Sequence, residues 1–272
     1  MELYQSIILG MIQGLTEFIP VSSSAHLILF PWFFKWTDPG LAFDVFLHLG
    51  TLCALFVYFY RDLWAIFIGG ISSILERRIG FESNRQLFWM LGIGSIPAAI
   101  AGVLFNDLAE VTFRAPLLIA MMLALVGFIV LWIDGHYPHL KRFEEMSFGS
   151  SFLIGIAQAF AIIPGVSRSG ATMAMGRRLG FSRDAAAKFS FLLCIPIILG
   201  AVTVKLPELI NQIGTNISWN YVLSGFGSAF LFGLISIHFM LGYLRQSDLA
   251  IFTWYRLGLS IFVVIWSVVF KV

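Results

Sequence analysis

The fold class this sequence predicts is an all-α polytopic membrane protein, and three observations predict it. Of the 272 residues, 59% are hydrophobic and 12% charged, with mean hydropathy +0.89; a soluble domain is about half apolar and a quarter charged. Apolar runs of about 20 residues, enough to cross a hydrocarbon core, recur six times along the chain. The two halves of the chain also resemble each other, which in a membrane protein marks repeats that meet at a shared site.

Taken in order, the first apolar stretch, 7–18 with 26–36, is too short to span and is broken at Pro20. It reads as a re-entrant helical hairpin. Spans follow at 42–60, 87–105 and 115–133, with a long polar loop expected near 62–86. A second broken stretch, 148–163 with 171–179, is interrupted by Pro164-Gly165 and reads as a second re-entrant hairpin. Spans at 185–206, 218–241 and 250–270 complete the chain, with a shorter loop near 207–217. Each half, about 1–134 and 148–272, is thus one hairpin plus three transmembrane helices within a single membrane domain.

The halves match in detail. Gly10-x-x-Gln13 and Val21-Ser22-x-Ser24 recur 145 positions later as Gly155-x-x-Gln158 and Val166-Ser167-x-Ser169. Gly92-x-Gly94-Ser95 recurs as Gly225-x-Gly227-Ser228 at an offset of 133. Three crossings per half is an odd number, so an inverted-topology repeat is expected. Cytoplasmic loops carry the excess of Lys and Arg. Arg61, Arg77, Arg78 and Arg85 follow the first span, and Lys141 and Arg142 follow the third, whereas 106–114 holds only Arg114. That places the N-terminus, the first hairpin and the C-terminus outside, with the second hairpin entering from the cytoplasm.

Other features exclude classes of function. The first basic residue is Lys35, so the chain lacks the basic opening of a cleavable signal and is expected to start at Met1. Cys53 and Cys194 lie in apolar spans and imply no disulfide framework. A net charge of +2 without a basic tract gives no reason to expect nucleic acid as a partner.

Chemistry concentrates in the two hairpins. An ionisable side chain at membrane depth is costly and usually faces a cavity, which singles out Glu17 and Arg168. Gln13 and Glu17, four apart on one helix face, offer oxygens that suit a hard cation such as Mg²⁺. Ser22, Ser23 and Ser24 supply hydroxyls at the break, and His26 is suited to act as base or nucleophile. In the second hairpin, Gly165 lets backbone amides approach closely, Arg168 offers a fork for phosphate oxygens, and Ser167, Ser169 and Thr172 add donors. An acid, hydroxyls and a histidine facing an arginine and amides form the set that phosphoryl transfer requires. Asp44 and His48, four apart, either line the cavity or pair with each other. Arg177, Arg178, Arg183 and Lys188 read as ordinary cytoplasmic-side charges. A phosphatidic-acid-type phosphatase would need a histidine six residues after Arg168, where Ala174 stands. A transporter or flippase for a polyisoprenyl phosphate is the alternative that shares this architecture.

At Gln13-x-x-x-Glu17-x-x-Pro20-x-Ser22-Ser23-Ser24-x-His26 and Pro164-Gly165-x-Ser167-Arg168-Ser169-x-x-Thr172, the sequence resembles the undecaprenyl-diphosphatase family of bacitracin-resistance membrane phosphatases. The resemblance extends over essentially the whole chain, including the stretch from Phe43 to Thr51. It departs at Gln13, where some members carry a second Glu, and at Ala25, where Gly is common. It implies removal of the terminal phosphate of undecaprenyl pyrophosphate, recycling the lipid carrier of peptidoglycan synthesis. It further implies a divalent metal, Mg²⁺ or alternatively Ca²⁺, acting with Glu17, and a bacterial inner membrane location with the site open to the periplasm. By matching position, Ser23 or His26 is nucleophile or base, while Arg168, Ser169 and Thr172 bind the pyrophosphate. Membrane lipids and, as one option, a second copy of the chain are its expected neighbours.

Overall fold

The computed structural model describes residues 2–80, 83–137, 140–213 and 218–271. The described residues are all-helical, and six helices are long and apolar enough to cross a membrane. The first hairpin pair is α1 (Leu3–Glu17) and α2 (Ser23–Phe34), followed by α3 (Leu41–Tyr58), α4 (Tyr60–Leu75), α5 (Ser83–Leu104), the short α6 (Asn106–Glu110) and α7 (Pro116–His136). The second pair is α8 (Phe148–Ala159) and α9 (Arg168–Arg178), followed by α10 (Arg183–Gln212), α11 (Trp219–Tyr243) and α12 (Ala250–Phe270). The helices long and apolar enough to span are α3, α5, α7, α10, α11 and α12.

Two expected loops are largely helix. Between the first two spans the chain forms α4, which buries Ile66, Gly69, Gly70 and Ser73 while Trp64, Phe67, Ile68 and Ile74 stay exposed. Its polar residues hid the period: Arg61 and Asp62 lower the local hydropathy, yet one stripe is apolar. Likewise α10 continues through Pro207 to Gln212. The parts of those loops at 81–82 and 214–217 lie outside the described residues.

The closest helix pairings cross the halves. α1 lies along α11, and α8 lies along α5. A Cβ on Gly10 would collide with the carbonyl oxygen of Gly225, and one on Gly155 with that of Gly94. Ser6 Oγ donates to Tyr221 O, and 145 positions later Ser151 Oγ donates to Met90 O at 2.6 Å. These repeated contacts pair Gly94 with Gly225, an offset of 131. The sequence match at 133 is therefore two residues out of register, and Gly92 and Gly227, which it paired with them, have nothing within 4 Å of a built Cβ. Small residues let the backbones approach where lipid supplies no hydrophobic drive.

Arg177 is not an ordinary peripheral charge. It is fully buried, with Nε 2.6 Å from Asp134 Oδ1. Arg183 Nε donates to the same carboxylate at 2.9 Å, and the Leu249 amide donates to its other oxygen at 3.2 Å. This cluster ties α7, α9, α10 and the start of α12 together and does so away from the hairpin breaks.

Candidate active site

Both hairpins break in the same way. Pro20 disfavours helix at the residue before it, and α1 ends at Glu17. α2 restarts from Ser22, whose φ of 75° lies in the left-handed region and whose Oγ accepts from Ala25 N. Ser167 repeats this with φ 71° and an Oγ that accepts from Gly170 N at 3.1 Å. Gly165, at φ 98°, has no room for a Cβ because Ile119 O would lie 2.6 Å from it. Non-glycine residues in this region cost energy and cluster at functional sites.

The two breaks touch. Gly165 N donates to Ser22 Oγ at 3.0 Å, and Ser169 Oγ donates to Ile19 O at 3.1 Å. The first residues of α2 and α9 consequently line one cavity of about 610 Å³: Ser22, Ser23 and Ser24 from one, Ser167, Arg168 and Ser169 from the other. Two helix N-termini facing a common space favour an anion there.

Glu17 lies at the centre and is 5% exposed. Arg168 Nη2 pairs with Oε1. Oε2 accepts from Ser23 Oγ at 2.5 Å and from Gln13 Nε2 at 2.9 Å, and His48 Nε2 is 3.4 Å away. His48 therefore faces Glu17. It does not pair side chain to side chain with Asp44, whose Oδ2 takes Arg114 Nη1 at 3.0 Å instead. Toward 106–114 the cavity is rimmed by Arg114, Asn106 and Lys205. Lys205 donates to Glu110 and holds that carboxyl below the usual carboxylate range.

Three expected site residues stand apart from this set. His26 Nδ1 donates to Ser22 O at 2.7 Å, and Nε2 lies 2.7 Å from Tyr255 Oη. The ring opens onto a separate aromatic cavity of about 320 Å³, walled by Phe30, Phe33, Phe262 and Trp266. Thr172 Oγ1 is engaged with Arg168 O at 2.7 Å and Ser190 Oγ at 2.6 Å, away from the cavity. The Gly165 amide is likewise committed to Ser22.

A hard cation needs several oxygen ligands. The Glu17 carboxylate is instead wrapped by a guanidinium, an amide N–H, a hydroxyl and an imidazole, and Gln13 presents nitrogen to it, leaving its own Oε1 buried without a partner among the described residues. In this arrangement the residues do not fit a resident cation between Gln13 and Glu17.

Arg256 was not anticipated. It is 1% exposed, and its guanidinium donates to Pro20 O at 3.1 Å, Gly165 O at 2.7 Å, Val166 O at 3.2 Å and Leu123 O at 3.1 Å. One side chain thus fastens both breaks to α7. The rule that singled out Glu17 applies equally to an arginine inside the apolar run 250–270 and would have found it.

A family described as bacitracin resistance protein BacA matches residues 6–262. The chain is 48% identical over 265 residues to an undecaprenyl-diphosphatase of Pelotomaculum thermopropionicum, covering 97% of each. It is 45% identical to those of Moorella thermoacetica, with 97% of each chain covered, and Caldicellulosiruptor bescii, with 96% of each covered.

Proposed function

Because the chain belongs to the bacitracin resistance protein BacA family, we propose that the cavity between its hairpin breaks is where it takes the terminal phosphate from undecaprenyl pyrophosphate. The protein is a multi-pass membrane hydrolase that returns the lipid carrier as undecaprenyl phosphate. The observation that carries the assignment of the site is Ser23 Oγ at 2.5 Å from Glu17, whose other oxygen holds Arg168, where two helix N-termini meet.

A nucleophile hydrogen-bonded to a base that is itself oriented by a third group is the arrangement covalent catalysis uses. Ser23 Oγ attacks the terminal phosphorus and Glu17 takes its proton. The bridging P–O bond breaks, and its electron pair leaves with undecaprenyl phosphate. Glu17 passes the serine's proton to the departing undecaprenyl phosphate. Water then attacks the phosphoserine, and Glu17 accepts the water's proton and returns it to Ser23 Oγ as the serine O–P bond breaks and phosphate leaves. Arg168 and the amides at the two helix starts hold the phosphoryl oxygens as charge develops on them. His26, fixed between Ser22 O and Tyr255, orients the break instead of attacking. A divalent cation, Mg²⁺ or alternatively Ca²⁺, would neutralise charge on the diphosphate, and none of the described residues is assigned to hold it. Phosphate release from undecaprenyl pyrophosphate by purified protein, with Mg²⁺ and with EDTA, tests the reading. Glu17→Gln is expected to lose at least about 10²-fold in kcat; a wild type that is well folded and releases nothing would turn the reading toward a lipid transporter.

The halves are proposed to lie inverted in the bacterial inner membrane with the cavity opening to the periplasm, in keeping with the single basic residue of 106–114. A cysteine placed at Asn106, which lines the cavity rim, should react with an impermeant thiol reagent in intact cells. Reaction only after permeabilisation reverses the orientation.

A further inference from the structure

Gln158 is in the last turn of α8 and lines the same cavity as Glu17, Ser23 and Arg168. It is 3% exposed, and neither Oε1 nor Nε2 has a hydrogen-bond partner among the described residues. Burying an amide with its bonds unmade costs the full desolvation of both groups. By the repeated contacts its counterpart is Gln13, 145 positions earlier, whose Nε2 donates to the carboxylate of Glu17 four residues on. Four residues after Gln158 stands Ile162, which offers no acceptor on its side chain. An apolar side chain of similar volume would fill this place without that cost, so stability of the fold does not account for the amide.

We propose that Gln158 is a substrate-binding residue whose amide turns into the cavity and donates to an oxygen of the bound diphosphate. This rests on the phosphatase reading and deepens it. Three side-chain torsions separate the amide from the backbone. Because the amide is bonded to nothing in the described structure, turning it breaks no hydrogen bond. The chain leads from Gln158 through the break to Arg168 ten residues on, so both donors approach the ligand from the second hairpin. The ligand class is a diphosphate ester, whose anionic oxygens accept more strongly than neutral ones.

The test uses the full-length protein in detergent and two variants, Gln158→Leu and Gln158→Glu. Three quantities are read: the apparent melting temperature, KM and kcat for undecaprenyl pyrophosphate, and Kd for a methylene-bridged prenyl diphosphonate that cannot be cleaved. Gln158→Leu should melt no lower than wild type, bind the diphosphonate about tenfold or more weakly, and raise KM by a similar factor with little change in kcat. Gln158→Glu should weaken binding further, because it sets an anion against the diphosphate. Unchanged KM and Kd in both variants, with wild type active, overturn the role of Gln158. Lower stability with unchanged Kd also overturns it, in favour of a packing role. A wild type that hydrolyses nothing is a different result, which removes the phosphatase reading itself.

Discussion

Ser23→Ala is expected to lower kcat for phosphate release on the order of 10⁴-fold while leaving the affinity for a non-hydrolysable diphosphonate close to wild type. Deleting a nucleophile removes the covalent step and leaves only what positioning and charge stabilisation supply. The hydroxyl lies 2.5 Å from Glu17 Oε2, and the methyl that replaces it leaves the packing of α2 unchanged. Ser24 provides the internal control: it lines the same cavity but its Oγ faces Ser22 Oγ at 3.3 Å, so Ser24→Ala should cost less than about tenfold. The measurement is initial-rate phosphate release, together with mass spectrometry of acid-quenched enzyme for phosphate on Ser23. A Ser23→Ala protein that keeps more than about a tenth of wild-type kcat would hand the attack to water, with Glu17 as its base.

Arg256→Met is expected to destabilise the fold by about 3–5 kcal/mol, because several buried carbonyls lose a charged donor together. The arginine is buried, and its partners are backbone carbonyls at Pro20, Gly165, Val166 and Leu123. Methionine fills part of the volume but leaves the carbonyls of Pro20, Gly165 and Val166, which lie outside the helices, in a dry interior without that donor, each at a cost of about 1–3 kcal/mol when no relaxation relieves it. Leu123 O keeps its place in the ladder of α7. The breaks would also lose the strut that holds Ser22 and Ser167 in register, so activity should fall further than the loss of folded protein explains. Arg256→Lys keeps the charge but cannot reach three directions from a planar fork, and should fall between. Thermal unfolding in detergent, followed beside phosphate release per folded molecule, checks both parts. A methionine variant that melts with wild type would show that the guanidinium does not bear on the breaks.

The candidate site was half legible. Glu17 and Arg168 stood out because charge at membrane depth is expensive, and Pro20 and Pro164-Gly165 marked the breaks because proline and glycine interrupt helix by local sterics. That Ser23 and His26 face different partners was not legible: Tyr255, 229 positions from His26, meets the imidazole from α12 while Ser23 meets Glu17. Thr172 fits a phosphate-binding pattern on sequence, yet Ser190 on α10 takes its hydroxyl. Arg177 sits among basic neighbours in the chain and becomes buried only because Asp134 comes to it from α7.

The sequence by itself determined the solvent, the six spans, the two broken hairpins and which residues carry charge inside the apolar stretches. These follow from hydropathy and backbone sterics, which add up over a few neighbouring residues and need no partner. Only the tertiary structure decided that α1 lies on α11 and α8 on α5, that Gly94 answers to Gly225, that Arg256 fastens both breaks, and that Glu17 is met by Ser23 and Arg168 together. A hydrogen bond is worth something only at about 3 Å and in the right direction, and which groups come that close depends on which helices pack side by side, a choice spread over the whole chain.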